Sequence, residues 1–257
     1  MPECFERAMC IRAIAYAFLC LVLTRMSYVD DSDFEISSMM DRVLEPEIMD
    51  DPEQARIYAA ADFSEENALF VDQFLLCAGE LDDAHIVDLG CGPADIPIRL
   101  AKRRDTVRVT GIDASPPMIA IARQAVERAG LNERIQLCCQ RFQEVILPEP
   151  ADGVISNSLV HHVRNPLQFW YAVKRMAKPG SPVLVMDLLR PATAEAAREI
   201  VERYTANEPK RLQEDFYRSL LAAFTEDEVA AHLAELNLTR LLVDVVDDRH
   251  WIVSGRL

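Results

Sequence analysis

From about residue 50 the chain switches regularly between two hydrophobic patterns. Short, nearly continuous apolar runs recur as HIVDLG, VRVTGID, RIQLCC, ADGVISNSL and the end of KPGSPVLVMDLL, and each reads as a buried strand. Between them lie segments with apolar residues at helical spacing. PEQARIYAAADFSEENALFVDQFLLCAGEL reads as two helices, with Ser64 as the N-cap of the second. PADIPIRLAKRR begins a helix with Pro93 near its start and basic residues at its end. In SPPMIAIARQAVERAG, Ser115 caps the helix, Pro116 suits its first position and Gly130 suits its end. A further helix runs from about Pro166 to Ala177, and LTRLLVDVVD and RHWIVSGRL add two C-terminal strands. Alternation of this kind predicts an α/β fold, a mostly parallel sheet covered by helices on both faces.

Residues 191–224 interrupt the alternation as a helical insertion. TAEAAREIVERY and KRLQEDFYRSLLAAF are amphipathic, with Leu212, Phe216 and Leu220 on one face. Thr225 and Glu228 then form a capping-box pattern for the last helix. The regular region, 50–257, reads as one domain, and residues 1–49 as an N-terminal extension and linker. The apolar run from Ala13 to Leu23, between Arg12 and Arg25, is shorter than the ~20 residues of a spanning helix. It has the length of a signal-peptide core, but Glu3 and Glu6 weaken the positive flank and no A-x-A-like site follows. Three readings stay open: a dispensable extension with Met26, Met39 or Met40 as candidate starts, a packed helix, or targeting and membrane association.

The chain has 257 residues, half of them apolar, which is enough for a sizeable core. Its formal net charge of −15 argues against nucleic acid or an anionic membrane as the main partner, since both reward clustered Lys and Arg. The 7 cysteines are odd in number and form no C-x-x-C pair, so they read as reduced thiols of a cytoplasmic protein. No zinc-ligand spacing appears, and no metal centre is expected. The oligomeric state stays open.

The candidate chemistry sits at the end of the first strand, in IVDLGCGPAD. Gly90 and Gly92 permit a tight turn and a close backbone approach, with Cys91 between them, and the helix that follows turns its positive end toward the turn. Ligands of such sheets bind beyond the carboxyl ends of the strands, where the strand order reverses. Asp88 lies just before the turn and Asp113 ends the next strand, where a carboxylate accepts hydrogen bonds from vicinal ribose hydroxyls. These residues point to a nucleoside without choosing its class. A dinucleotide fingerprint needs a glycine where Asp95 stands.

VDLGCGPAD, VTGIDASPPMIAIAR, ADGVISNSLVHHVRNP and MAKPGSPVLVMDLL resemble, in order and spacing, the class I S-adenosylmethionine-dependent methyltransferases, and within them the small-molecule enzymes related to the ubiquinone and menaquinone C-methyltransferases. The resemblance covers roughly residues 50 to 257. It implies a Rossmann-like seven-stranded sheet with an antiparallel last strand and a helical cap, S-adenosyl-L-methionine as cofactor, and a small-molecule acceptor with an O-, C- or S-nucleophile. It also implies that Asp88, Gly90, Cys91 and Gly92 hold the methionine part, that Asp113 with Ala114 holds the ribose, and that Met118 packs near adenine. The usual aspartate after the third strand is missing; Gln140, Arg141 and Phe142 are the candidates in its place. Ala94 stands where the family has a third glycine. A nicotinamide-dependent oxidoreductase and a non-catalytic cofactor-binding partner protein are the alternatives.

The fourth strand ends in SNSLVHHV, and its carboxyl end should face the transferable methyl group. Asn157 and Ser158 are candidate cofactor contacts. His161 and His162 are candidate bases, because an imidazole titrates near neutrality; shaping the pocket or capping the next helix would equally account for them. Consecutive residues of an extended segment point to opposite sides, so only one of the two is expected to face the pocket. No N/D-P-P-Y sequence follows, which argues against amide or exocyclic-amine acceptors. Asp187 ends the fifth strand and Arg190 follows it, where a salt bridge or a helix cap explains them as well as a site does. Tyr58, Phe63, Arg190, Tyr204, Phe216 and Tyr217 are candidates to line the acceptor pocket, with plain core packing as the competing account.

Overall fold

The computed structural model describes residues 40–45 and 48–257. The described residues fall in one compact unit, Met39–Leu257. The apolar run from Ala13 to Leu23 lies outside the described residues. Helices α1 (Pro52–Ala60) and α2 (Ser64–Ala78) lead into an alternating series. It runs β1 (His85–Leu89), α3 (Asp95–Arg103), β2 (Arg108–Asp113), α4 (Pro116–Arg128), β3 (Ile135–Cys139), β4 (Gly153–Asn157), α5 (Pro166–Met176) and β5 (Pro182–Leu188). The insertion supplies α6 (Ala194–Thr205) and α7 (Lys210–Ala222), and α8 (Glu226–Glu235), β6 (Leu241–Val245) and β7 (His250–Arg256) complete the fold.

The strands form one seven-stranded sheet in the order β3-β2-β1-β4-β5-β7-β6. β7 runs antiparallel to both neighbours and the other pairings are parallel. The apolar runs explain the burial. Along β1, Ile86 enters the core on the α2, α3 and α4 side, while Val87 and Leu89 enter the core on the α5 and α8 side. β5 repeats this, with Leu184 on the first side and Val183 and Val185 on the second. A period of two with both faces apolar is what a parallel sheet buried on both sides requires. Strand order reverses between β1 and β4, so the carboxyl ends of β1, β2 and β4 surround the switch point.

Several terminal details match the sequence. Ser115 Oγ accepts from Met118 N at 3.2 Å, and the Thr225–Glu228 capping box forms in both directions. One expectation is corrected. Ser64 is the first helical residue of α2, not its N-cap; the cap position is Phe63, and Ser64 N donates to Asp62 Oδ1 at 3.0 Å. Within the expected extension, the described residues before 50 contact the domain. Met40 N donates to Ala192 O at 3.2 Å, Val43 N donates to Leu221 O at 2.9 Å, and Met49 O accepts from Ser115 Oγ at 2.7 Å. Residues 40–45 are therefore a strap across the insertion. Arg42 fixes it by donating to Ala222 O at 2.5 Å, to His161 O at 2.7 Å and to Val163 O at 3.0 Å, with its guanidinium 3.8 Å from the Phe224 ring centre.

Candidate active site

The turn after β1 is shaped by backbone that L side chains rarely adopt. Gly90 has φ +73 and Gly92 φ +50, and a Cβ on Gly90 would sit 2.9 Å from the Leu159 side chain. Gly90 N and Cys91 N both donate to Ile112 O, at 2.8 and 3.1 Å, which ties the turn to β2. Cys91 is buried, and a Cβ on Gly111 would meet its sulfur at 2.9 Å; burial also pushes its thiol far above the usual range, so it fills space and stays protonated. Ala94 takes the left-handed conformation at φ +67 as the N-cap of α3. That is a conformation glycine takes without strain.

Asp113 closes the cradle from β2. Its Oδ2 accepts from Gly92 N at 2.9 Å and its Oδ1 from Ser115 N at 2.8 Å, which leaves a lone pair on each oxygen for a diol. Burial raises its pKa above the ordinary carboxylate value, and the two backbone N–H groups oppose that rise. Asp88 is 1% exposed, and its Oδ2 has no hydrogen-bond partner. Burial, then the charge of Asp113, pushes its carboxyl well above the usual range. A buried acceptor without a donor is costly unless a ligand satisfies it. Asn157 Oδ1 is likewise buried without a partner, while Asn157 Nδ2 donates to Asn67 Oδ1 at 3.4 Å.

These groups line one cavity of about 590 Å³. Its wall contains Asp88, Gly90, Cys91, Gly92, Asp113, Ala114, Met118, Gln140, Arg141, Phe142, Asn157 and Ser158, together with His161 and His162. Of the residues expected to line an acceptor pocket, Tyr58, Phe63, Tyr204 and Phe216 are present. Tyr58 and Phe63 pack with ring centres 5.1 Å apart, and burial, with the charges of Asp113 and Asp187, pushes the Tyr58 hydroxyl up to about 12. Arg190 and Tyr217 are not part of this wall. Arg190 donates to Glu228 Oε1 at 2.8 Å and to Ala223 O at 3.0 Å, which holds α8 against the end of α7. Tyr217 packs in the small core of the insertion, 5.4 Å from the Arg198 guanidinium.

Beyond β4 the chain forms a 3₁₀ turn, Val160–His162, and this overturns the expectation that one histidine faces away. The turn places both rings on the cavity wall, with centres 4.2 Å apart. His161 is buried, and its Nδ1 lies 2.5 Å from Asp187 Oδ1. Asp187 is fully buried and accepts from Leu188 N at 2.7 Å and from Val160 N. Arg190 is therefore not its partner; Asp187, one residue before the end of β5, orients a histidine. Burial opposes a charge on His161, but Asp187 and then Glu45 outweigh it and hold its pKa above the ordinary value.

Sequence reasoning missed Glu45. It stands on the strap, 3.1 Å from His162 Nδ1 and 3.5 Å from His161 Nε2, and Ser219 Oγ of α7 donates to it at 3.0 Å. Burial raises its carboxyl above the ordinary range, with His161 pulling the other way. No local pattern announces it, because the three elements that meet here are far apart in the chain. This half-buried set contrasts with the expectation of no metal-ligating group, since the ligand atoms of Glu45, His161 and His162 lie within 4.8 Å of one another.

Fold and cradle together are those of the class I S-adenosylmethionine-dependent methyltransferases, the class that the sequence resembles. Residues 86–180 match the family model described as a methyltransferase domain. The chain is 33% identical over 82 residues to a trans-aconitate 2-methyltransferase of Streptomyces avermitilis, covering 32% of this chain and 30% of that one. It is 30% identical over 125 residues to a ubiquinone biosynthesis O-methyltransferase of Alkalilimnicola ehrlichii, covering 48% and 49% of the two chains. The chain thus spans a third to a half of the curated relatives it matches. Among solved structures, an S-adenosylmethionine-dependent methyltransferase assigned to Methanococcus maripaludis superposes with a TM-score of 0.62 at 18% identity, covering 84% of this chain and 97% of that one. The plantazolicin methyltransferase BpumL in complex with SAH gives 0.61 at 16% identity, covering 80% and 91%. These likenesses show the fold, and the methyltransferase-domain match supports S-adenosylmethionine as the cofactor. Among the described residues, no helix is long and apolar enough to cross a membrane.

Proposed function

We propose that the protein transfers the methyl group of S-adenosylmethionine to a hydroxyl of a small-molecule acceptor. The observation that carries this reading is the continuity of the cavity, whose wall runs from Asp113 to the His161–His162 turn. Asp88 Oδ2, the buried acceptor without a donor, takes the cofactor's ammonium group, and Asp113 takes its ribose hydroxyls. Met118, Gln140, Arg141 and Phe142 flank the adenine, and Asn157 and Ser158 face the methionine part. The acid-rich wall suits a cofactor that is cationic at sulfur and nitrogen.

When bound, S-adenosylmethionine supplies an electrophilic methyl group, so the chain's residues mainly orient the acceptor and exclude water. A thiolate needs no help with its proton, whereas a hydroxyl does. The His161–Asp187 pair, with His162 beside it, places proton-accepting groups at the acceptor end and so favours a hydroxyl. The volume falls within the range of pockets for metabolite-sized ligands. The matched relatives include proteins named for methylating trans-aconitate and for O-methylation in ubiquinone biosynthesis, which is consistent with a small acceptor. The test is methyl transfer from labelled cofactor against a panel of hydroxylated metabolites and thiol controls. Turnover on a hydroxyl acceptor is the expected result. Cofactor binding with no turnover across the panel would favour the non-catalytic partner instead.

A further inference from the structure

We propose that Glu45, His161 and His162 form a centre for a divalent first-row transition-metal ion at the acceptor end of the cavity. Two imidazole nitrogens and one carboxylate oxygen are a donor set for zinc, iron(II), cobalt(II) or nickel(II), whereas magnesium and calcium prefer oxygen alone. The spacing agrees. Ligand atoms at about 2.0–2.1 Å from a tetrahedral ion stand about 3.3 Å apart. The Glu45 oxygen lies 3.1 Å from His162 Nδ1 and 3.5 Å from His161 Nε2. The second of these is too long for a good hydrogen bond, while both bracket the separation an ion would impose.

The outer contacts are those a metal histidine needs. His161 directs Nδ1 to the fully buried Asp187 at 2.5 Å, which fixes the ring with Nε2 toward Glu45. Ser219 Oγ at 3.0 Å orients Glu45, and Arg42 ties the strap to the carbonyls of His161 and Val163. The three ligands therefore come from a strap and a 3₁₀ turn that neighbouring elements hold in place. Both histidines line the cavity, and three protein ligands leave a tetrahedral ion one open position. A three-ligand site with an open position is the form of catalytic rather than structural centres. With an ion bound, the two imidazoles would serve as its ligands and not as bases, and its Lewis acidity would instead lower the cost of removing the acceptor's proton. Only this last step rests on the methyl-transfer reading; the binding of the ion does not.

The full-length protein, stripped with a chelator, is titrated with Co²⁺ and followed by the visible absorption of the bound ion. One saturating equivalent is expected. Asp187→Asn should bind roughly ten- to a hundredfold more weakly, as loss of an orienting contact does. Glu45→Gln and His162→Ala each lose a ligand and should bind more weakly still. Melting curves and calorimetry with S-adenosylhomocysteine establish that each variant is folded. A wild-type protein that shows no saturable absorption, or Glu45→Gln and His162→Ala variants that bind Co²⁺ like the wild type, would overturn the proposal. Failure of Co²⁺ binding leaves methyl transfer standing, and failure of the wild type to bind S-adenosylhomocysteine would sink methyl transfer without changing the Co²⁺ result.

Discussion

Asp113 serves the fold and the ligand through the same two oxygens. Each accepts one backbone N–H and keeps a lone pair for a ribose hydroxyl. Asp113→Ala should weaken S-adenosylhomocysteine binding by about 1.5–3 kcal/mol, the scale of charge-assisted hydrogen bonds, which calorimetry reads as roughly ten- to a hundredfold. The same carboxylate sets a pH dependence. Its pKa is raised by burial, so cofactor affinity should fall as pH drops through a value above the ordinary carboxylate range. Affinity that stays constant down into that ordinary range would contradict the assignment. For stability the sign reverses. A carboxyl raised in the folded state binds more protons than the unfolded chain, so the ligand-free fold loses stability as pH climbs from the ordinary value through the raised one. Asp88 is the stronger case. Asp88→Asn removes that cost and the ammonium's partner together. Its ligand-free melting temperature at neutral pH should equal or exceed the wild type's while cofactor affinity falls, and thermal melts with and without S-adenosylhomocysteine separate the two effects.

At the scale of elements, the cradle could be read in the sequence because its parts are local. Asp88, Gly90, Gly92 and Asp113 end neighbouring strands of one β-α-β unit, and the register that sets Asp88 opposite Gly111 follows from short connections. Gly90→Ala tests that geometry. A left-handed φ and a 2.9 Å approach to Leu159 add up to about 2 kcal/mol or more, so both the melting temperature and cofactor affinity should drop. The acceptor end was less legible. SNSLVHHV marked the right loop, but alternation assumes extended backbone, and the 3₁₀ turn breaks it. Asp187 showed only as a strand-ending acid, because its partner is set by the β4–β5 pairing. With both rings on the cavity wall, His161→Ala and His162→Ala should each slow single-turnover transfer to a hydroxyl acceptor, by about 10²–10⁴-fold where proton removal is lost, with cofactor affinity nearly unchanged. Normal rates in both would take the histidines out of the reaction.

For the whole molecule the open question was where the domain begins. Composition placed the boundary near residue 50, because nothing between 27 and 49 is periodic. Residues 40–45 are nonetheless tied to the domain, and the reason is polar rather than hydrophobic. Arg42 satisfies three carbonyls, including that of Ala222 at the end of α7, and Glu45 reaches the histidines, so a stretch whose Val43 and Leu44 stay exposed is still tied to the insertion and to the active-site turn. Hydrophobic periodicity does not register such a contact. Two truncations separate the accounts. Removing residues 1–38 should leave a cooperative melting transition and intact binding of S-adenosylhomocysteine. Removing residues 1–45 strips buried carbonyls of their donor, at about 1–3 kcal/mol for each group left unpaired, and should lower the melting temperature by several degrees. The longer truncation should also lose methyl transfer more than cofactor binding, since the cradle of Asp88 and Asp113 lies outside the strap. Equal melting temperatures and equal turnover for the two truncated chains would show that the strap carries neither stability nor function.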